Sequence, residues 1–308
     1  MADVRVEVFD RGFASPVVLA SGPAGFGLEL ERELDLSSVG ALTAKTITLE
    51  PRSGNPQPRL VDCPCGALNS IGLENPGVDR FVDDAMPRIA ALPIRLFVSV
   101  AASSPDELAT LLDRLREVEA IDAIELNLSC PNVSGGVIGD DPSEVRAFTR
   151  VCVQEGGRPV LVKLPGDAGH LIESADASLA AGAVGLTLIN TLRGLRIDRA
   201  HGRPFLYREI GGLSGPAILP VSLARVYEAR RAFPDAVIVG TGGICDVGGM
   251  LEMLFAGADL VGIGFAVMAD PELPQRLGEE LSAWLDEHGF DNVAQVTGIA
   301  HRGGFDVR

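Results

Sequence analysis

Glu125-Leu126-Asn127-Leu128-Ser129-Cys130-Pro131-Asn132-Val133-Ser134-Gly135-Gly136 is a strand that ends in a loop. Ile124, Leu126 and Leu128 are apolar and carry no breaker among them. Pro131 then cannot donate to a ladder, and Asn132 with the paired glycines favours a loop. A thiol and two carboxamides cluster at this break. A thiol can take a proton, and carboxamides both donate and accept, which suits a flat ring with imide edges. Cys130 therefore reads as a base and Asn127 and Asn132 as grips on a planar substrate. The plain alternative is a small buried apolar cysteine.

Working outward, short apolar runs alternate with helical patterns. The spacing predicts strands at 16–20, 41–48, 94–100, 121–128, 160–164, 184–190, 236–240 and 260–264. Helices are predicted at 28–36, 78–91, 105–118, 142–155, 171–181, 221–233, 247–256 and 271–288. Ser104-Pro105-Asp106-Glu107 is a helix start, and Gly182 and Gly257 stand where C-caps belong. Eight βα units predict a (β/α)8 TIM barrel, with long loops after strands 2, 4 and 6. A doubly wound open sheet is the other arrangement, but 20–25 lacks the glycine spacing its first turn needs.

The bulk composition narrows function. The chain has 308 residues, 46% hydrophobic, with a formal net charge of -16. That charge repels phosphate backbones and argues against nucleic-acid binding. No run of roughly 18 apolar residues predicts a membrane span, and the N-terminus lacks a signal-peptide core. Five cysteines, an odd and sparse set, suit a reducing cytoplasm. Cys63-Pro64-Cys65 has no second ligand cluster, so no metal site is expected.

The C-terminal strand ends carry the unusual residues, and in a barrel these ends form one ring. They are Ser21, Lys45 and Thr46, Asn127 leading to Cys130, Lys163, Asn190 and Thr191, Gly240–Gly243, and Gly264-Phe265. The glycine turn after strand 7, with Gly262 and Gly264 on strand 8, fits a phosphate cradle. Lys163 is either a cation beside a ring that gains electrons or half of a buried ion pair.

These motifs identify a resemblance to the class 1 dihydroorotate dehydrogenases, and within them to the NAD-linked, type B catalytic subunit. It is carried by 45–52, Gly54-Asn55-Pro56, Pro58-Arg59, 68–73, Asn75-Pro76-Gly77, 127–133, 162–164, 189–192, 211–218 and 240–244, in family order over nearly the whole chain. The resemblance implies one FMN-binding barrel domain spanning 1–308. It implies oxidation of (S)-dihydroorotate to orotate in pyrimidine biosynthesis, Cys130 removing the C5 proton while C6 delivers hydride to flavin N5. Substrate contacts would come from Lys45, Asn69, Asn127, Asn132, Asn190, Thr191 and the backbone at Ile71, Gly72 and Leu73. FMN contacts would come from Ser21, Lys45, Thr46, Asn127, Lys163, Ile189, Gly215, Gly242, Gly243, Gly264 and Phe265. Dimers are the family habit. Electrons would leave through a second subunit carrying FAD and a 2Fe–2S cluster, parts for which this chain has no motif.

The sequence departs from the family pattern in three places. Ser99 stands where asparagine is usual, Phe265 where threonine is usual, and 133–136 lacks the usual lysine. These departures leave two other readings: an FMN oxidoreductase of another dihydropyrimidine or specialised metabolite, and a flavin-binding electron-transfer subunit.

Overall fold

The computed structural model describes residues 1–128 and 137–305. Eight parallel strands close into a barrel: β1 Val17–Leu19, β2 Ala41–Ile47, β3 Arg95–Val100, β4 Ala123–Asn127, β5 Val160–Lys163, β6 Gly185–Leu188, β7 Val237–Thr241 and β8 Leu260–Ile263. Closure comes from β8 pairing with β1, Val261 opposite Val17 and Ile263 opposite Leu19. The expected (β/α)8 barrel is therefore present.

Strand alternation divides each strand into an outward row under the helices and an inward row that must fill the barrel. The lowest inward layer is apolar: Ala41, Phe97, Ala123, Leu161, Val239 and Leu260 pack with Val8 and Phe13. Phe13 and Val8 come from an N-terminal hairpin, Val6–Val8 against Arg11–Phe13, which caps the barrel floor. Phe97 meets Phe13 edge-on at 5.9 Å and Phe9 at 6.2 Å. Arg11 and Arg95 both reach Asp122 Oδ1, at 3.1 and 3.3 Å, while Asp122 Oδ2 accepts from the Leu96 amide at 2.9 Å. The cap is thus tied to the barrel wall by charge as well as packing.

The helix caps fall where the sequence places them. Ser104 accepts from the Glu107 amide at 3.2 Å and opens the helix Pro105–Arg116. Gly257 closes Val247–Ala256 at φ +110. The helix expected over 28–36 is absent. That segment is a chain of turns followed by a short 3-10 helix, Leu36–Ser38. Gly25 and Gly27 hold left-handed φ of +56 and +80, and a side chain on Gly27 would lie 2.6 Å from Leu42. Leu30, Leu34 and Leu36 are buried all the same. Their spacing reports burial, while the segment's backbone bonds run as separate turns, Leu30 N to Gly27 O and Glu33 N and Leu34 N to Leu30 O, and not as a continuous helical ladder. The 78–91 helix is present as a bent run, with a π turn at Phe81–Ala85 between α-helical Val78–Arg80 and Met86–Ile89.

The long connections after β2 and β6 are not plain loops. They pair with each other in a four-stranded antiparallel sheet ordered Leu192–Leu195, Ile210–Ser214, Gly66–Asn69, Leu60–Cys63. Gly212 sits opposite Asn69 and Leu213 opposite Leu68. One face buries Val61, Leu68 and Leu206 as a small separate core. The long connection after β4 contains 129–136, so Cys130 and Asn132 lie outside the described residues. Beyond it the Gly139 amide donates to Leu128 O at 2.9 Å. Among the described residues no helix is long and apolar enough to cross a membrane.

Phe97→Ala is expected to destabilise the fold by about 3–5 kcal/mol, because the floor cannot collapse around the lost ring. Urea unfolding monitored by circular dichroism measures it.

Candidate active site at the barrel mouth

Above the apolar floor the inward residues turn polar. On β4 the inward row reads Ala123, Glu125, Asn127, and on β5 it reads Leu161, Lys163, with Asn127 opposite Lys163. The Glu125 and Lys163 side chains are 4% and 8% exposed, and Lys163 Nζ stands 3.7 Å from Glu125 Oε1. The ion-pair reading of Lys163 therefore holds in the protein alone.

The strand ends are joined by one row of side-chain hydrogen bonds. Asn190 Nδ2 donates to Asn127 Oδ1 at 3.4 Å, and Asn127 Nδ2 donates to Thr46 Oγ1 at 3.2 Å. Thr46 Oγ1 also lies 2.9 Å from Ser99 Oγ and 3.3 Å from Ser21 Oγ. Residues from β1, β2, β3, β4 and the end of β6 are thus fixed against one another. Ser99, one of the departures from the family pattern, is fully buried and engaged with Thr46. Its role as a brace for Thr46 is not visible from its residue type.

The row continues into the antiparallel sheet. Thr191 N donates to Asn190 Oδ1 at 2.8 Å, which orients that carboxamide. A side chain on Gly212 would lie 2.1 Å from Thr191 Oγ1, and Asn69 Nδ2 donates to Gly212 O at 3.3 Å. Asn69 and Thr191 are so brought to the same wall as Asn127.

The 71–73 backbone is held by two asparagines the sequence reading gave no role. The Asn55 amide donates to Ile71 O at 2.8 Å, and Asn75 Nδ2 donates to Leu73 O at 2.7 Å. Asn75 also grips Thr48 at the end of β2, Nδ2 to Thr48 Oγ1 at 2.8 Å. Gly72 at φ +79 and Leu73 at φ +55 are both left-handed. A non-glycine residue in that region is uncommon and marks a backbone held by its surroundings. Lys45 is half-buried, its amide donating to Gly25 O at 2.9 Å. Burial pushes the Lys45 ammonium below its ordinary value, with Glu74 opposing the shift and Arg59 adding to it.

The glycine side of the ring is a second wall. Gly242 and Gly243 have φ of +126 and +86, and a side chain on Gly243 would lie 2.4 Å from the Leu219 amide nitrogen. Gly215, at φ +107, starts the segment that leads to Leu219. Ile189 N donates to Thr241 O at 2.9 Å, linking the end of β6 to this turn. A side chain on Gly264 would meet only Ala20 Cβ at 3.7 Å, and one on Gly22 nothing within 4 Å. The backbone there is open to a neighbour, as a phosphate cradle requires. The helix after β7 contributes less than the sequence suggests. Its N-terminus is already capped by Asp246, which accepts from the Gly249 amide at 2.8 Å. An anion here would rely on the glycine-turn amides instead. Phe265 opens the helix Phe265–Ala269 directly after Gly264.

Two features were missed in the sequence. Glu125 is in phase with Asn127, and that phase was the available signal. Lys45 and Lys163 are the only lysines in the chain, the remaining 24 basic residues being arginine.

The family model described as Dihydroorotate dehydrogenase matches residues 3–285. A dihydroorotate dehydrogenase B (NAD(+)), catalytic subunit, from Desulforudis audaxviator is 40% identical over 292 residues, covering 94% of this chain and 95% of the relative. The like-named protein of Anoxybacillus flavithermus is 40% identical over 309 aligned positions, covering 100% and 99%. Among solved structures, DHODH from Eimeria tenella in complex with ferulenol matches with a TM-score of 0.81 at 22% identity. It covers 97% of this chain and 89% of that one, and it supports the barrel fold.

Ser99→Ala removes one bond from Thr46 while Ser21 and Asn127 remain. The expected cost is about 1 kcal/mol in urea unfolding, with the barrel's circular dichroism unchanged.

Proposed function

The chain belongs to the dihydroorotate dehydrogenase family, and we propose that it works as the NAD-linked, type B catalytic subunit, with FMN at the barrel mouth. Membership makes it an enzyme that oxidises dihydroorotate to orotate in pyrimidine biosynthesis. The single barrel 1–308 is read as one FMN-binding domain.

The observation that carries this reading is the braced row Asn190–Asn127–Thr46, flanked by the only two lysines. The donor set fits FMN: open glycine backbone at Gly264, positive-φ glycines at Gly215, Gly242 and Gly243, and a buried cation at Lys163. Ser21, Thr46, Ile189 and Phe265 would complete the cofactor wall. FMN, when bound, supplies the hydride acceptor. The chain's own residues do the rest. Asn69, Asn127, Asn132, Asn190 and Thr191 hold the pyrimidine edges, where carboxamides match both imide donors and acceptors. Lys45 and the 71–73 backbone receive the carboxylate. Cys130 takes the C5 proton as the C6 hydride leaves, so the carbon pair loses one proton and one hydride and becomes the double bond of orotate.

The relatives' names specify a catalytic subunit. Electron exit is accordingly assigned to a separate subunit carrying FAD and a 2Fe–2S cluster. A second copy of this chain is assigned as a further partner, in line with the dimers that the resemblance implies. Among the described residues the cysteines are unpaired, which suits work in the cytoplasm.

Orotate titrated into the purified yellow protein is expected to shift the flavin absorbance at micromolar ligand. A bound flavin that does not respond would transfer the activity to another dihydropyrimidine or a specialised metabolite. Cys130→Ala is expected to lower dihydroorotate turnover about a hundred- to ten-thousandfold while leaving the flavin bound.

The pH dependence follows from two groups of opposite sign. A thiol of ordinary value about 8.5 becomes a base as pH rises, so kcat climbs from about pH 6 to about 9. Lys45, lowered by burial, loses its charge sooner than an exposed lysine. Orotate affinity is therefore expected to fall at alkaline pH before the ordinary lysine range is reached. Binding titrations across that range, in wild type and Lys45→Arg, separate the two limbs.

A further inference from the structure

We propose that Glu125 is a positioning residue for the redox chemistry: its buried carboxylate holds the Lys163 ammonium and offsets part of the positive charge that Lys163 presents to the flavin. The inference rests on the FMN reading above and adds a residue to it.

The barrel interior makes this pair unusual. Among the described residues, the buried Asp, Glu, Lys and Arg residues are Asp122, Glu125 and Lys163. Asp122 belongs to the floor, where Arg11 and Arg95 neutralise it. Glu125 and Lys163 therefore face each other inside the barrel without another buried charge beside them. The groups sharing their layer are neutral. Ser99 is opposite Glu125 in the β3–β4 register and is turned to Thr46. Thr187 is opposite Lys163, and Thr241 donates to Gly262 O at 3.0 Å.

Packing does not explain the carboxylate. Glu125 Oε1 is buried and accepts no hydrogen bond, and its nearest charge, Lys163 Nζ, is at 3.7 Å, beyond a normal hydrogen bond. A buried oxygen in that state costs stability, and a well-packed apolar residue of similar volume would serve the core better. What the carboxylate does provide is a counter-charge at a fixed place. Lys163 is level with Asn127 at the mouth, and Glu125 is two residues lower on the same inward row, roughly 6.6 Å further from the substrate. A ring over the mouth feels the near ammonium more than the distant carboxylate. The net effect is a reduced, directed positive field. A full unpaired cation would hold the electrons taken from dihydroorotate too firmly for onward transfer. The pair lets the flavin accept them and still release them.

The test is the redox equilibrium of the bound flavin, measured by dye equilibration in the purified holoprotein. Glu125→Gln keeps the shape and removes the charge. It is expected to raise the ratio of reduced to oxidised flavin at a fixed poise about tenfold, equal to about 30 mV for a two-electron couple. Glu125→Asp keeps the charge and is expected to stay within about twofold of wild type. A folded, flavin-loaded Glu125→Gln protein with an unchanged ratio overturns the proposal, as does an equal shift in both variants. Should Glu125→Gln not fold, Lys163→Met is compared with Glu125→Gln/Lys163→Met, where no unpaired buried cation remains. The double variant is expected to be the more readily reduced, and equality between the two overturns the proposal. Wild-type protein purified without any flavin would instead defeat the FMN reading itself, so the two failures are distinguishable.

Discussion

The edge-on contact of Phe97 with Phe13 closes the bottom of the barrel, and the chemistry above it depends on that closure. A closed parallel sheet has an inward row on every strand and no solvent to fill the space between them. The N-terminal hairpin supplies the missing floor, and the Arg11 and Arg95 contacts to Asp122 keep it seated. With the floor dry, polarity can rise in steps toward the mouth. Phe97 gives way to Ser99 on β3, Ala123 to Glu125 and Asn127 on β4, and Leu161 to Lys163 on β5. Each step places a hydrogen-bonding group where its neighbour can fix it.

That fixing turns scattered residues into a site. Thr46 meets three partners from three different strands or strand ends, so it cannot rotate without breaking the row. The departure at Ser99 is absorbed by this geometry, since a hydroxyl there reaches Thr46 directly. The antiparallel sheet extends the wall sideways. It binds the β2 connection, which carries Asn69 and 71–73, to the β6 connection, which carries Thr191 and Gly215. The two excursions work as one structural element: each inner strand is paired on one side within its own connection and on the other side by its counterpart.

What the sequence made legible was local. Strand ends, the Ser104 cap and the Gly257 stop are written within a few residues, and so is the placement of Lys45, Asn127, Lys163 and Asn190 at one rim. The antiparallel sheet was not legible, because its inner pairing joins Asn69 to Gly212, 143 residues apart. Nor was the floor hairpin. Its turn residues Phe9 and Asp10 hold φ of +55 and +56, where Asn-Gly would have signalled a tight turn. The false helix over 28–36 came from leucines that are buried but carried by a run of separate turns. Glu125 was overlooked because a charged residue inside the apolar run 121–128 has no visible partner until the strand register sets it beside Lys163.

The lysine census has an electrostatic consequence for the whole molecule. Guanidinium groups keep their proton throughout the working range of an enzyme, whereas ammonium groups can release it. With 24 arginines and two lysines, the outer surface carries a cationic pattern that alkali does not erode. Lys45, at the rim of the barrel and lowered by burial, is the ammonium that alkali reaches before the ordinary lysine range. Raising the pH therefore leaves the guanidinium pattern of the exterior intact while weakening the charge at Lys45, concentrating a global solution variable on one side of one small cavity.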